Sequence, residues 1–233
     1  MILPDSELQE IFKEYNYIIY DTNCIISYAF RTEITIKRTG EKLIIEETPF
    51  TQIAKDLTNY ISTHSKKVVA LKISFEETAY NRLAGIVNKK FSDHGFVKNI
   101  ATKTGPSEYQ ETKYVIQRHI LAKVTKTINS LKLGAKEWFE IDHSYVPTIM
   151  DTNNIRDFFT ILHNNPVTKL RFDQCKDPMP SGVDIALILF SKDKSYPLIS
   201  NDKDITEFRE ELVAKNHTHK IIPLMKFLAD ENT

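Results

Sequence analysis

Cysteine is almost missing from this chain: Cys24 and Cys175 are the only two. No pair of cysteines has zinc-site spacing, and no cysteine framework points to a secreted, disulfide-bonded domain. Net charge is missing as well. The 31 basic and 31 acidic side chains cancel to a formal charge of +0, so any basic surface must be local. No apolar run approaches the roughly 20 residues of a membrane span. The N-terminus has no apolar signal-peptide core. No G-x-G-x-x-G follows a strand, which removes the dinucleotide-binding fingerprint. Internal repeats and low-complexity segments are lacking too. These absences leave a soluble, intracellular, cytoplasmic protein as the expectation.

What is present is ample core material: 41% of the 233 residues are hydrophobic. Length alone allows one elaborated domain or two small ones. The element order reads as one domain over residues 1–233. Pro4-Asp5-Ser6 starts a helix. Residues 17–21 form a buried strand, and a short helix follows to about Arg31. The period then switches to two, with Ile34 and Ile36 before Thr39-Gly40 and Leu43 and Ile45 after it. That is a hairpin inserted at about 33–48. Thr51 to about His64 is an amphipathic helix, and Val68 to Ile73 a second apolar strand.

Residues 91–107 read as a loop, 108–132 as one long helix, 151–164 as another helix and 165–180 as a loop. Val183–Phe190 is a buried helix. Residues 196–200 are a strand in which Pro197 must stand first or on an edge. Asn201 opens a helix to about Lys215, and Lys220–Pro223 is a last strand. Strands alternating with helices predict an α/β fold, three-layer α/β/α, with a central mostly parallel sheet. Extra helices fill an insertion at about 91–178. Cys24 is expected in the core. Trp138 and Phe139 are expected to pack a helix end, and His217 and His219 to lie on a solvated turn.

The chemistry lies in acids at element ends. Tyr17-Ile18-Ile19-Tyr20 ends abruptly in Asp21-Thr22-Asn23. Open α/β sheets bind ligands at the carboxyl ends of their strands. Glu77 opens the helix after the second strand, at capping-box spacing from Ser74. Glu76 beside it would point about 100° away. Asp184 opens the buried helix, and Asp202 follows the 196–200 strand. Asp21, Glu77 and Asp202 or Asp204 each have an ordinary explanation as a helix cap. Asp184 resists it most, because it lies on an almost wholly apolar helix and Asp is seldom buried unpaired. Asp151-Thr152-Asn153 repeats the first tripeptide but lacks a strand before it, and reads as an N-cap. Like charges at ~4 Å repel by roughly 4 kcal/mol per pair at an effective dielectric of 20. Four converging carboxylates therefore need protons or hard divalent cations. A pair of such ions can clamp the attacking and leaving oxygens of a phosphodiester.

Ile19-Tyr20-Asp21-Thr22-Asn23, Glu77, Asp184-Ile185-Ala186-Leu187-Ile188 and Leu198-Ile199-Ser200-Asn201-Asp202-Lys203-Asp204-Ile205 together resemble the PIN-domain ribonucleases. The resemblance covers about residues 16–30, 66–85 and 180–225. It implies a metal-dependent endonuclease acting mainly on RNA, single-stranded in particular, with one or two Mg2+ or Mn2+ ions. It places Asp21, Glu77, Asp184 and Asp202 on the acidic quartet and Asp204 on an auxiliary acid position. Asn23 and Ser200 fall on positions that orient the first acid or a metal water. A homodimer and an antitoxin or other regulatory protein are the partners it implies. The chain exceeds the short toxin members by the 33–48 hairpin and the 91–178 segment.

Two rival functions stand beside this one. A haloacid-dehalogenase-like phosphatase also ends its first strand in Asp, but needs a second acid where Asn23 stands. An inactive PIN-like module would bind RNA or a protein without cutting. Lys89, Lys90, Lys98, Lys103 and Lys113 make the middle locally basic, either as a solvated face or as salt-dependent phosphate contacts.

Overall fold

The computed structural model describes residues 6–29, 32–35, 42–45, 48–74, 118, 121–122, 125–133, 136–145 and 181–227. The strands are β1 (Tyr17–Tyr20), β2 (Thr32–Thr35), β3 (Lys42–Ile45), β4 (Lys67–Leu71), β5 (Phe139–Asp142), β6 (Pro197–Ser200) and β7 (Lys220–Pro223). The helices are α1 (Ser6–Glu14), α2 (Thr22–Ala29), α3 (Thr48–Thr63), α4 (Gly182–Lys194), α5 (Lys203–Thr206) and α6 (Arg209–Ala214).

Five strands form one sheet in the order β5-β4-β1-β6-β7. Every neighbouring pair in it is parallel. β2 and β3 form the separate antiparallel hairpin expected from the period-two pattern. The chain is thus an α/β protein. Parallel strands covered on both faces read as continuous apolar runs, and Ile18-Ile19-Tyr20 and Val68-Val69-Ala70-Leu71 do so.

Alternation along the strands supplies two cores. Ile18, Tyr20, Val68, Ala70, Ile199 and Ile222 face one side with residues of α1, α2 and α3. Ile19, Val69, Leu71, Leu198 and Ile221 face the other with residues of α4, α5 and α6. Cys24 lies fully buried in the first core.

Pro197 is the first residue of β6. Ladder pairing to β1 begins one residue later, at Leu198, so the missing N–H of proline interrupts no bond on the β1 side. Ser195 ends α4 in the left-handed region, at φ 55°, and turns the chain back toward the sheet.

Three expectations need correction, whereas Trp138 and Phe139 do pack helix ends: Trp138 meets Tyr28 in the last turn of α2 edge-on, and Phe139 shares a core with Ile128 and Leu131. Phe139 also begins β5, level with Val68. Its four-residue run, Phe-Glu-Ile-Asp, is too short for periodicity to reveal without its neighbour β4. His217 is not solvated: it is buried, as is Thr218. The His217 amide donates to the Leu212 carbonyl at 2.8 Å, and Asn216 before it is left-handed at φ 56°. The turn therefore folds under α6. His219 likewise engages Tyr15, its Nε2 lying 2.7 Å from the hydroxyl. The helix expected from Asn201 is two helices, α5 and α6, because Phe208 between them turns into the core.

The helix expected at 108–132 is helical at 118, 121–122 and 125–132. The 151–164 helix, the 91–107 and 165–180 loops, Asp151-Thr152-Asn153, Glu76, Glu77 and the basic residues from Lys89 to Lys113 lie outside the described residues. Among the described residues, no helix is long and apolar enough to cross a membrane.

Ile199 sits in an interior strand with no exposed surface. Ile199→Ala should cost about 2–5 kcal/mol. It should appear as a lower urea midpoint with an unchanged slope.

Candidate functional site

The chain fills one side of β1 with β4 and β5, then crosses to the other side with β6 and β7. The strand order therefore reverses between β1 and β6. Ligand crevices of open α/β sheets lie at such a reversal, outside the carboxyl ends of the strands. Asp21 leaves β1 there, and Ser200 ends β6 beside it.

Asp21 is held from several directions. Its amide donates to the Ile199 carbonyl at 3.1 Å, carrying the ladder one residue past β1. Its Oδ1 accepts the Cys24 amide at 2.7 Å, which caps α2. Its Oδ2 accepts the Ser200 hydroxyl in a short hydrogen bond and the Asn201 amide at 3.2 Å. The helix-cap reading of Asp21 is thus correct, and it is only half of the role. The second oxygen is bound by the end of β6.

Ser200 links two acids. Its fully buried hydroxyl donates to Asp21 and accepts the Asp202 amide at 2.9 Å. Asn23 Nδ2 donates to Asp202 Oδ2 at 3.0 Å, tying the start of α2 to the end of β6. Ser200 thus holds the first acid, Asp21, while Asn23 holds Asp202. Thr22 Oγ1 donates to the Ser74 carbonyl at 3.1 Å and ties the same turn to the segment after β4.

Asp184 comes from the opposite flank. It is buried in the first turn of α4 and closes a capping box with Ser181. Ser181 N donates to Asp184 Oδ2 at 2.8 Å, and Asp184 N donates to Ser181 Oγ at 3.2 Å. This is the explanation that sequence reading did not find for Asp184. The signal was present, because Ser181-Gly-Val-Asp184 has the same spacing as Ser74 and Glu77. The box uses Oδ2 alone.

Electrostatics places the three acids in one neighbourhood. Burial raises the Asp184 carboxyl from 3.8 to about 6; the Ser181 hydrogen bonds oppose this, and the charges of Asp202 and Asp21 add to it. Burial also raises Asp21, against the hydrogen bonds from Ser200 and Cys24, and Asp202 pushes it the same way. Repelling carboxylates held by neutral donors form an oxygen-only set, the kind that suits hard divalent cations. Among the described residues, however, no group of three or more His, Cys, Asp or Glu is placed to hold a metal ion. The described acids match such an ion in chemistry without completing its ligand set. Glu77 and the Asp204 side chain lie outside the described residues, while the Asp204 backbone is part of α5.

A cleft of about 380 Å3 opens elsewhere, lined by Tyr17, Glu140, Asp142, Lys194 and Tyr196 among others. Among the described residues, Asp21, Asp184 and Asp202 do not line it. Tyr17 and Tyr196 stand at the amino ends of their strands, away from the reversal point. Comparison with protein-family models, with curated proteins and with solved structures finds no match to this chain.

Two outcomes follow. A carboxyl raised in the folded state contributes stability that is full below its ordinary value of 3.8 and lost as pH rises through about 6. Ionised Asp184 should therefore cost about 3 kcal/mol at neutral pH. Asp184→Asn keeps an oxygen for Ser181 and cannot ionise. In EDTA it should melt above the wild type at pH 7.5, with the gap closing toward pH 4; thermal melts across that range check it. Ser200→Ala leaves buried Asp21 one donor short and should cost about 1–3 kcal/mol by urea unfolding.

Proposed function

We propose that this chain is a PIN-like, metal-dependent endoribonuclease that hydrolyses RNA phosphodiesters at the carboxyl ends of β1 and β6. The observation that carries the reading is the union of Asp21 and Asp202 through Ser200 and Asn23 at the strand-order reversal. Binding-site architecture usually holds its acids this way, with neutral donors setting the carboxylate orientation.

Asp21, Asp202 and Asp184 would hold Mg2+ or Mn2+, with Glu77 and Asp204 as the further acids. The ion supplies a nucleophilic water at neutral pH and charge to offset that developing on the phosphate. The chain's own residues do the positioning. Ser200 and the Cys24 amide keep Asp21 in place. Asn23 aims Asp202, and Ser181 sets the Asp184 rotamer. Burial keeps water from relaxing the acids apart and strengthens their attraction for a cation.

The phosphatase reading loses ground here. The residue two positions after Asp21, Asn23, donates its amide to Asp202 and offers no acid.

Cleavage of a mixed single-stranded RNA pool at fixed salt tests the proposal. The wild type should cut in Mn2+ and not in EDTA. Asp202→Asn and Asp184→Asn should each lose about 100-fold or more. RNA retained on a filter but left uncut by the wild type would replace the enzyme with a binding module.

A further inference from the structure

We infer that Lys72 and Lys203 grip the phosphates on either side of the reacting one, so that the site takes a polynucleotide strand laid across the sheet edge rather than a chain end. This rests on the nuclease reading and adds the path of its substrate.

The placement comes from register. Ile19 pairs with Val69; two residues on, Leu71 at the end of β4 is level with Asp21. Lys72 follows at once and is exposed. On the other flank Tyr20 pairs with Ile199, which brings Ser200 level with Asp21. Lys203 opens α5 three residues later and is exposed. β1 lies between β4 and β6. The two lysines therefore leave strands about 10 Å apart, two strand spacings, with the acids between them.

Both lysine-bearing turns are anchored to the acid site. The Ser74 carbonyl, two residues past Lys72, accepts the Thr22 hydroxyl at 3.1 Å. Asp202, just before Lys203, donates its amide to the Ser200 hydroxyl at 2.9 Å, and its Oδ2 accepts Asn23 Nδ2 at 3.0 Å.

Charge balance supplies the chemistry. Buried carboxylates at this edge repel a polyanion, and a cation on each side offsets that repulsion where the neighbouring phosphates must pass. Two flanking contacts define a strand that enters over β4, crosses β1 and leaves over β6. A terminal phosphate would need one contact only.

The test separates this proposal from the nuclease reading by measuring binding in EDTA, apart from cleavage. Anisotropy of a labelled single-stranded RNA across a range of KCl gives the slope of log K against log salt. Lys72→Gln and Lys203→Gln should each make that slope shallower by about 0.7, and the double variant by about 1.4. A Lys13→Gln, Lys215→Gln control, with both lysines exposed and outside the carboxyl edge, should leave it unchanged. Melting curves should show each variant still folded at the assay temperature. A double variant as steep as the wild type overturns the inference; so does a control that falls equally, or a wild type without salt-dependent binding. Cleavage with an unchanged slope would sink the lysine grip and spare the nuclease. A shallower slope without cleavage would do the reverse.

Discussion

The buried carboxylate of Asp21 is the constraint on which the rest of the site depends. An ionised group with 2% exposure is costly unless it is hydrogen-bonded. Here α2 supplies one donor, and the end of β6 supplies two. The donors come from segments 179 positions apart in the case of Ser200. Satisfying one acid therefore requires β1 and β6 to be neighbours in the correct register. The same hydroxyl that satisfies Asp21 accepts the Asp202 amide, so the second acid inherits its place from the first.

The sheet makes this economical. β1 is central, and chain segments arrive on both of its flanks. Apolar residues alternate between two cores, and that burial sets the register. The polar groups then collect where the apolar runs stop, at the carboxyl ends. Polar residues are confined to the edge because the strands themselves are occupied with packing.

Asp184 joins a capping role to an electrostatic coupling with the other acids. Its capping box stabilises the start of α4, while its carboxyl is raised by burial and by the acids across the edge. A group solely concerned with capping gains little from such neighbours. Its elevated protonation point is a stability cost at neutral pH, set first by burial and then by the neighbouring acids.

The sequence by itself determined the alternation of strands and helices, the hairpin, the burial of Cys24 and the placing of acids at strand ends. These follow from local periodicity and from abrupt changes of polarity, which neighbouring residues alone encode. Only the tertiary structure decided that Phe139–Asp142 pairs with β4, that His217 is buried, and that Ser181 closes a box on Asp184. It alone brought Asp21 and Asp202 onto a single hydroxyl. The physical reason is range. A four-residue edge strand and a hydrogen bond across 179 positions leave no periodic trace, because the partner that stabilises each one is distant in the chain and near only in the fold.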